Sequence, residues 1–123
     1  MILVNRENAN IVKTPHGSEI RPLVDRTNSE ITRCSLAEET LPPGCAVTRH
    51  RHREIEEIYY VLSGAGVMTV GDQSREVSSG DAIYIPRGQV HSLNNTGAEA
   101  IKLLLVCGPA FFYEDAIFEE PKS

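Results

Sequence analysis

The run His50-Arg51-His52-Arg53-Glu54-Ile55-Glu56-Glu57-Ile58-Tyr59 decides how this chain is read. It packs two histidines and three carboxylates, all able to ligate a metal, into eight residues, His50 to Glu57. Side chains alternate faces along a strand, so His50 and His52 project from one side with Cα atoms roughly 7 Å apart, close enough for two imidazoles to meet one ion. Glu57 lies an odd number of residues beyond His52, and an unbroken strand would turn it away from the histidines. Either residues 53–56 bend or bulge, which sends Glu57, Tyr59 and Val61 inward and Ile58, Tyr60 and Leu62 outward, or the strand runs on and Glu56 has the right parity. Taken alone the H-x-H pair is weak evidence, because two part-exposed strand histidines read the same way.

Outward from this run, glycines and prolines frame two blocks. In the first, five residues separate Gly44 from His50 and six separate Glu57 from Gly64. In the second, Gly80, Pro86, Arg87, Gly88, His91 and Asn95 follow after only fifteen residues, 65–79. Three of the four histidines fall inside these blocks. The pair resembles the two motifs of the cupin superfamily and matches them at every fixed position. That resemblance implies an all-β fold, a small double-stranded β-helix or jelly-roll barrel, and it favours Glu57 over Glu56. The implied site is one divalent transition metal held by His50, His52, Glu57 and His91, with His91 arriving after the turn that Pro86 and Gly88 mark. Three imidazoles and one carboxylate suit Mn, Fe, Ni, Co, Cu or Zn and leave one or two positions for water or substrate. Asn95 and Asp81 read as turn residues rather than ligands, since both side chains bond readily to their own backbone.

The remaining chain carries the same rhythm. Short runs at 66–70, 75–77, 82–85, 90–93 and 101–106 follow one another with turn residues between them, the pattern of a sandwich or barrel. Residues 19–24 look extended, with Pro22 demoting them to an edge, and 31–41 reads as a strand leading into Leu41-Pro42-Pro43-Gly44. We therefore expect an N-terminal arm and edge strand over 1–30, a barrel over 31–108 and a C-terminal segment, 109–123, packing on the barrel or acting as a lid. A short helical turn is expected within 114–120. His16, in the turn-like Thr14-Pro15-His16-Gly17-Ser18, reads as a surface histidine. Arg49, Arg51 and Arg53 should form a solvated row that Glu54 and Glu56 neutralise.

Composition narrows the function classes. A net charge of −5 argues against a nucleic-acid surface, which needs a basic excess. Three cysteines with no C-x-x-C spacing point to reduced thiols in a cytoplasmic protein. Met1-Ile2-Leu3-Val4 is too short for a signal sequence, and no run approaches a membrane span. Neither a Ser-His-Asp set nor a phosphate loop is visible, so catalysis would run through the metal. Tyr59 stands as a hydrogen-bond or proton donor to a bound ligand, or equally as a core tyrosine. Arg87 is placed to meet an anionic substrate at the barrel mouth, with an ordinary exposed arginine as the plainer reading.

The resemblance implies a small-molecule partner and favours an enzyme with oxygenase- or decarboxylase-like chemistry on a small polar or carboxylate-bearing metabolite. A non-catalytic metal-containing binding module and a sugar or sugar-phosphate isomerase or epimerase are the alternatives. Ile58, Tyr60 and Leu62 are too apolar for a wetted wall, so either the N-terminal arm or a second subunit should cover them. Single-motif members of the superfamily commonly pair, which favours a homodimer.

Overall fold

Burial alternates along Glu56–Ser63. Glu57, Tyr59 and Val61 are 5%, 2% and 1% exposed, whereas Ile58, Tyr60 and Leu62 keep 42%, 40% and 41%. A strand with one such face must pack that face against a second layer. The computed structural model describes residues 1–119, and among them there are eleven strands, two short 3-10 turns at Arg6–Asn8 and Tyr113–Asp115, and no α-helix. In chain order the first strands are β1 (Val12–Lys13), β2 (Glu19–Val24), β3 (Ser35–Leu41), β4 (His50–His52), β5 (Glu56–Ser63) and β6 (Ala65–Val70). They are followed by β7 (Gln73–Ser78), β8 (Ala82–Ile85), β9 (His91–Asn94), β10 (Ile101–Gly108) and β11 (Ala116–Phe118).

Every pairing is antiparallel, and the strands divide into two sheets, ordered β1-β2-β3-β10-β5-β8 and β11-β4-β9-β6-β7. This is the double-sheet jelly roll. Leu41, Tyr59, Val61, Ile85, Ile101 and Leu103 from the first sheet meet Met68, Val77 and Leu93 from the second in one core cluster. Close approach is built in at Gly66, where a Cβ would fall 2.4 Å from the Asn94 carbonyl oxygen across the sheet. Asn95, 1% exposed, closes that end by donating from Nδ2 to the Leu41 and Glu99 carbonyls at 2.9 and 2.8 Å.

Several sequence expectations are corrected in detail. The strand expected from residue 31 begins at Ser35. Pro22 lies beyond the two residues that β1 pairs, at a register shift against β3, where its missing N–H leaves no gap in a ladder. The helical turn expected within 114–120 is instead a 3-10 turn followed by β11, a strand of the second sheet; the expectation for residues 120–123 lies outside the described residues. Arg49 pairs with Glu119 at 2.8 Å rather than with Glu54 or Glu56. No helix among the described residues is long and apolar enough to cross a membrane.

Candidate metal centre

The parity problem at Glu57 is solved by a bend. β4 ends at His52 and β5 begins at Glu56, and the intervening backbone N–H groups are gathered by one distant residue. Asp115, 2% exposed, accepts Glu54 N–H on Oδ1 at 2.9 Å and Ile55 N–H on Oδ2 at 3.0 Å, while its carbonyl accepts Arg53 N–H at 3.1 Å. With the bend capped, Glu57 re-enters on the same side as the histidines. Glu56 points outward and contacts the Tyr84 hydroxyl at 3.4 Å, so it is not a ligand.

One ligand atom from each of His50, His52, Glu57 and His91 lies within 4.8 Å of all the others. His50 and His91 are the register pair that joins β4 to β9, with ring centroids 4.2 Å apart. The imidazole tautomers follow from their partners. His50 Nδ1 donates to the Thr48 carbonyl at 2.7 Å and His91 Nδ1 donates to the Gln89 carbonyl at 3.0 Å, which leaves an unprotonated Nε2 on each neutral ring. Glu57 is oriented from behind, its Oε2 accepting the Cys107 thiol at 3.3 Å. Its Oε1 then faces His91 Nε2 at 3.3 Å and His52 Nε2 at 3.5 Å.

Glu57 Oε1 and His91 Nε2 are both buried without a hydrogen-bond partner. A carboxylate oxygen and a ring lone pair turned toward each other in a dry site repel unless a cation stands between them. The donor set therefore fits a divalent metal. The electrostatics agree: burial and the neighbouring His91 lower the His50 pKa to about 4, so that imidazole is neutral and ready to ligate. Burial works to raise the Glu57 pKa, but protonated His52 and His91 rings beside it outweigh burial and lower it to about 2, and a metal cation between these groups would take the place of those protons. Burial, reinforced by Glu57, pushes the Cys107 thiol up, so it stays a donor.

Tyr59, the other inward residue of β5, has its ring 5.9 Å from that of His91 and is kept protonated by burial and by the nearby Glu57 and Glu39. Arg87 is exposed, and it makes no hydrogen bond or ion pair among the described residues. Its turn is tied to the site only through the Gly88 N–H, which donates to the His52 carbonyl at 2.7 Å. A cavity of about 690 Å³ reaches Val70 and Ile83, the cross-strand neighbours of His91 and Tyr59.

Sequence reasoning missed three features. Asp115 stands by His52 from 63 residues away and Cys107 by Glu57 from 50, and only the inward parity of Cys107 with Leu103 and Leu105 was available as a signal. His16 is not a surface histidine: its side chain is 13% exposed, and its Nδ1 accepts Thr48 N–H at 3.3 Å. That leaves Nε2–H to donate to Glu39 Oε2 at 3.1 Å, while the Ser18 hydroxyl donates to the same oxygen. Ser18 and Glu39 both meet Nε2, so this trio lacks the two-ended bridging of a hydrolase triad.

Comparison with known proteins agrees with the geometry. The model of the cupin domain matches residues 37–107, which include all four ligands. An uncharacterized protein of Methanocaldococcus jannaschii is 39% identical over 83% of this chain and 82% of its own. An oxalate-binding protein of Thermotoga maritima is 37% identical over 58% of this chain and 59% of its own. Among solved structures, a predicted oxalate decarboxylase from Thermotoga maritima superposes with a TM-score of 0.76 at 26% identity, covering 88% of this chain and 99% of that one. With its double-sheet barrel, its converging donors and this match over more than half its length, the chain belongs to the cupin family.

Proposed function

We propose that this chain is a metal-dependent cupin acting on a small carboxylate-bearing metabolite, with oxygenase- or decarboxylase-like chemistry. The observation that carries the reading is the open three-histidine, one-glutamate centre, whose Glu57 Oε1 and His91 Nε2 face each other unpartnered. His50, His52, Glu57 and His91 would hold the ion. A divalent metal there supplies Lewis acidity and positions for a chelating carboxylate.

The protein's own groups do the remaining work. Carbonyl acceptors at Thr48 and Gln89 fix the ring orientations, and Cys107 holds Glu57. Tyr59, protonated and beside His91, is the side chain available to donate a hydrogen bond or proton to the ligand. Arg87 would attract an anion from the outside. Oxalate in the names of a sequence match and a structural match, both from Thermotoga maritima, supports the carboxylate class. One of them is named for binding rather than turnover, which favours a non-catalytic capture module as the second reading. The isomerase reading has less support, because among the described residues no Lys or Arg side chain is hydrogen-bonded or ion-paired to the four candidate ligands.

Protein purified without chelator should carry about one first-row divalent metal per chain, and His50→Ala with His52→Ala should empty the site. Full metal retention in that double variant removes the assignment. Oxalate added to the Mn(II)- and Fe(II)-loaded protein should bind, with oxygen uptake or carbon dioxide release reporting turnover. Tight binding without turnover under both metals selects the capture module.

A further inference from the structure

β4 carries two of the four candidate ligands and is only thinly joined to the rest of its sheet. It shares a single register pair with β9, His50 with His91, plus one isolated bridge upstream, Ala46 with Asn94. On its other side β11 pairs with all of it: Ala116 with His52, Ile117 with Arg51 and Phe118 with His50. β11 in turn is an edge strand whose only sheet partner among the described residues is β4. The segment that carries it is fastened to the ligands themselves. Phe118 stacks on the His50 ring with centroids 5.3 Å apart, and Phe111 meets the His52 ring edge-on at 6.4 Å. Asp115 Oδ2 stands 3.5 Å from His52 Nδ1, a nitrogen that is buried without any hydrogen-bond partner, while the same carboxylate caps the bend that delivers Glu57.

Building on the metal-centre reading, we infer that residues 111–118 form a metal-coupled clasp, with Asp115 as its positioning residue, so that metal occupancy and docking of this segment stabilise one another. The physical route is short. An ion drawing His50 and His52 inward fixes β4, and a fixed β4 presents the complete ladder and both aromatic contacts to β11. In reverse, a docked Asp115 draws His52 Nδ1 toward its carboxylate, which orients Nε2 to the ion and raises its basicity. Because the coupling is thermodynamic it must be reciprocal: whatever the metal adds to docking, docking adds to metal affinity.

Hydrogen exchange measured by mass spectrometry on the full chain tests this, comparing metal-stripped with Zn(II)-saturated protein. Zn(II) should slow exchange across 112–118 by about tenfold or more, the scale of a coupling of roughly 1.4 kcal/mol, and leave 101–107 of β10 unchanged. Asp115→Asn should weaken Zn(II) about 10- to 100-fold and abolish the slowing; it should also lower the melting temperature of the stripped protein, because an amide can accept only one of the Glu54 and Ile55 N–H groups. Equal exchange in both states overturns the clasp, and so does equal slowing of β10, which would mark global stabilisation. If Asp115→Asn fails to fold, the wild-type comparison still decides. Elemental analysis separates the two failures. One zinc per chain with unchanged exchange removes only the clasp, whereas no bound zinc removes the metal centre as well.

Discussion

At the scale of single residues, the centre depends on groups that never touch the metal position. Cys107 is the clearest. A thiol in an apolar strand would pass for a small hydrophobe, yet its Sγ hydrogen-bonds Glu57 Oε2 and decides which carboxylate oxygen faces the imidazoles. The same burial and the same carboxylate raise its pKa, and the thiolate is the reactive form. Iodoacetamide at pH 8 should therefore alkylate exposed Cys34 readily and Cys107 at least about 100-fold more slowly, until denaturant is added. Peptide mapping of the labelled sites reads this out; comparable labelling of both cysteines in the folded protein contradicts it. His16 makes the complementary point. Its imidazole partners a carboxylate that is 3% exposed, so His16→Ala leaves Glu39 leaning on Ser18 alone. The expected loss is roughly 1–3 kcal/mol of stability in urea unfolding, the cost of a buried charged group short of a partner. A change below about 0.5 kcal/mol, typical of a surface substitution, would restore the surface reading.

Among the elements, what was legible and what was not divides cleanly. β5, β8 and β10 were readable because their periodicity or apolar runs are long and their turns carry glycine; Gly64, for example, has φ +89 at the β5–β6 connection. Apolar side chains at one parity had a core to go to, and the outward parity of Ile58, Tyr60 and Leu62 followed. β11 was not legible. Three residues, Ala116-Ile117-Phe118, carry too little pattern to separate a strand from a turn, and their state is set by β4, which lies more than sixty residues away in sequence. The bend at 53–55 was half legible. Parity required it if Glu57 is the ligand, but the cap that stabilises it comes from Asp115.

For the whole molecule, the open question is what lies against the outer face of the first sheet. Ile58, Tyr60 and Leu62 remain about two-fifths exposed and Tyr84 is 59% exposed, while the N-terminal arm leaves them uncovered and keeps Ile2, Leu3, Ile11 and Val12 exposed as well. The arm is instead pinned over β3, with Arg6 Nη2 2.9 Å from a Glu38 carboxylate oxygen. Of the two coverings expected from sequence, self-covering is thus not the arrangement of this chain, and we propose a twofold pair of barrels joined through this face. Each aliphatic or aromatic side chain removed from water contributes roughly 1.5–3 kcal/mol, so several per subunit can offset the cost of association. Light scattering across a dilution series should give a dimer for the wild type and a monomer for Tyr60→Asp, with metal content retained because Tyr60 points away from the ligands. A wild type that is monomeric at every concentration contradicts the pairing.

By itself the sequence determined the all-β class and, once the bend after His52 is granted, the inward and outward faces of β5, because spacing, parity and turn chemistry are local properties that a chain carries whether or not it is folded; the choice of Glu57 over Glu56 as candidate ligand came from the cupin resemblance. Tertiary structure alone decided that Asp115 and Cys107 support the candidate ligands, that His16 is sequestered against Glu39, and that Ala116–Phe118 form a strand. Each of these rests on a contact between residues at least twenty-three positions apart, and no local pattern records which distant partner closure of the barrel will deliver.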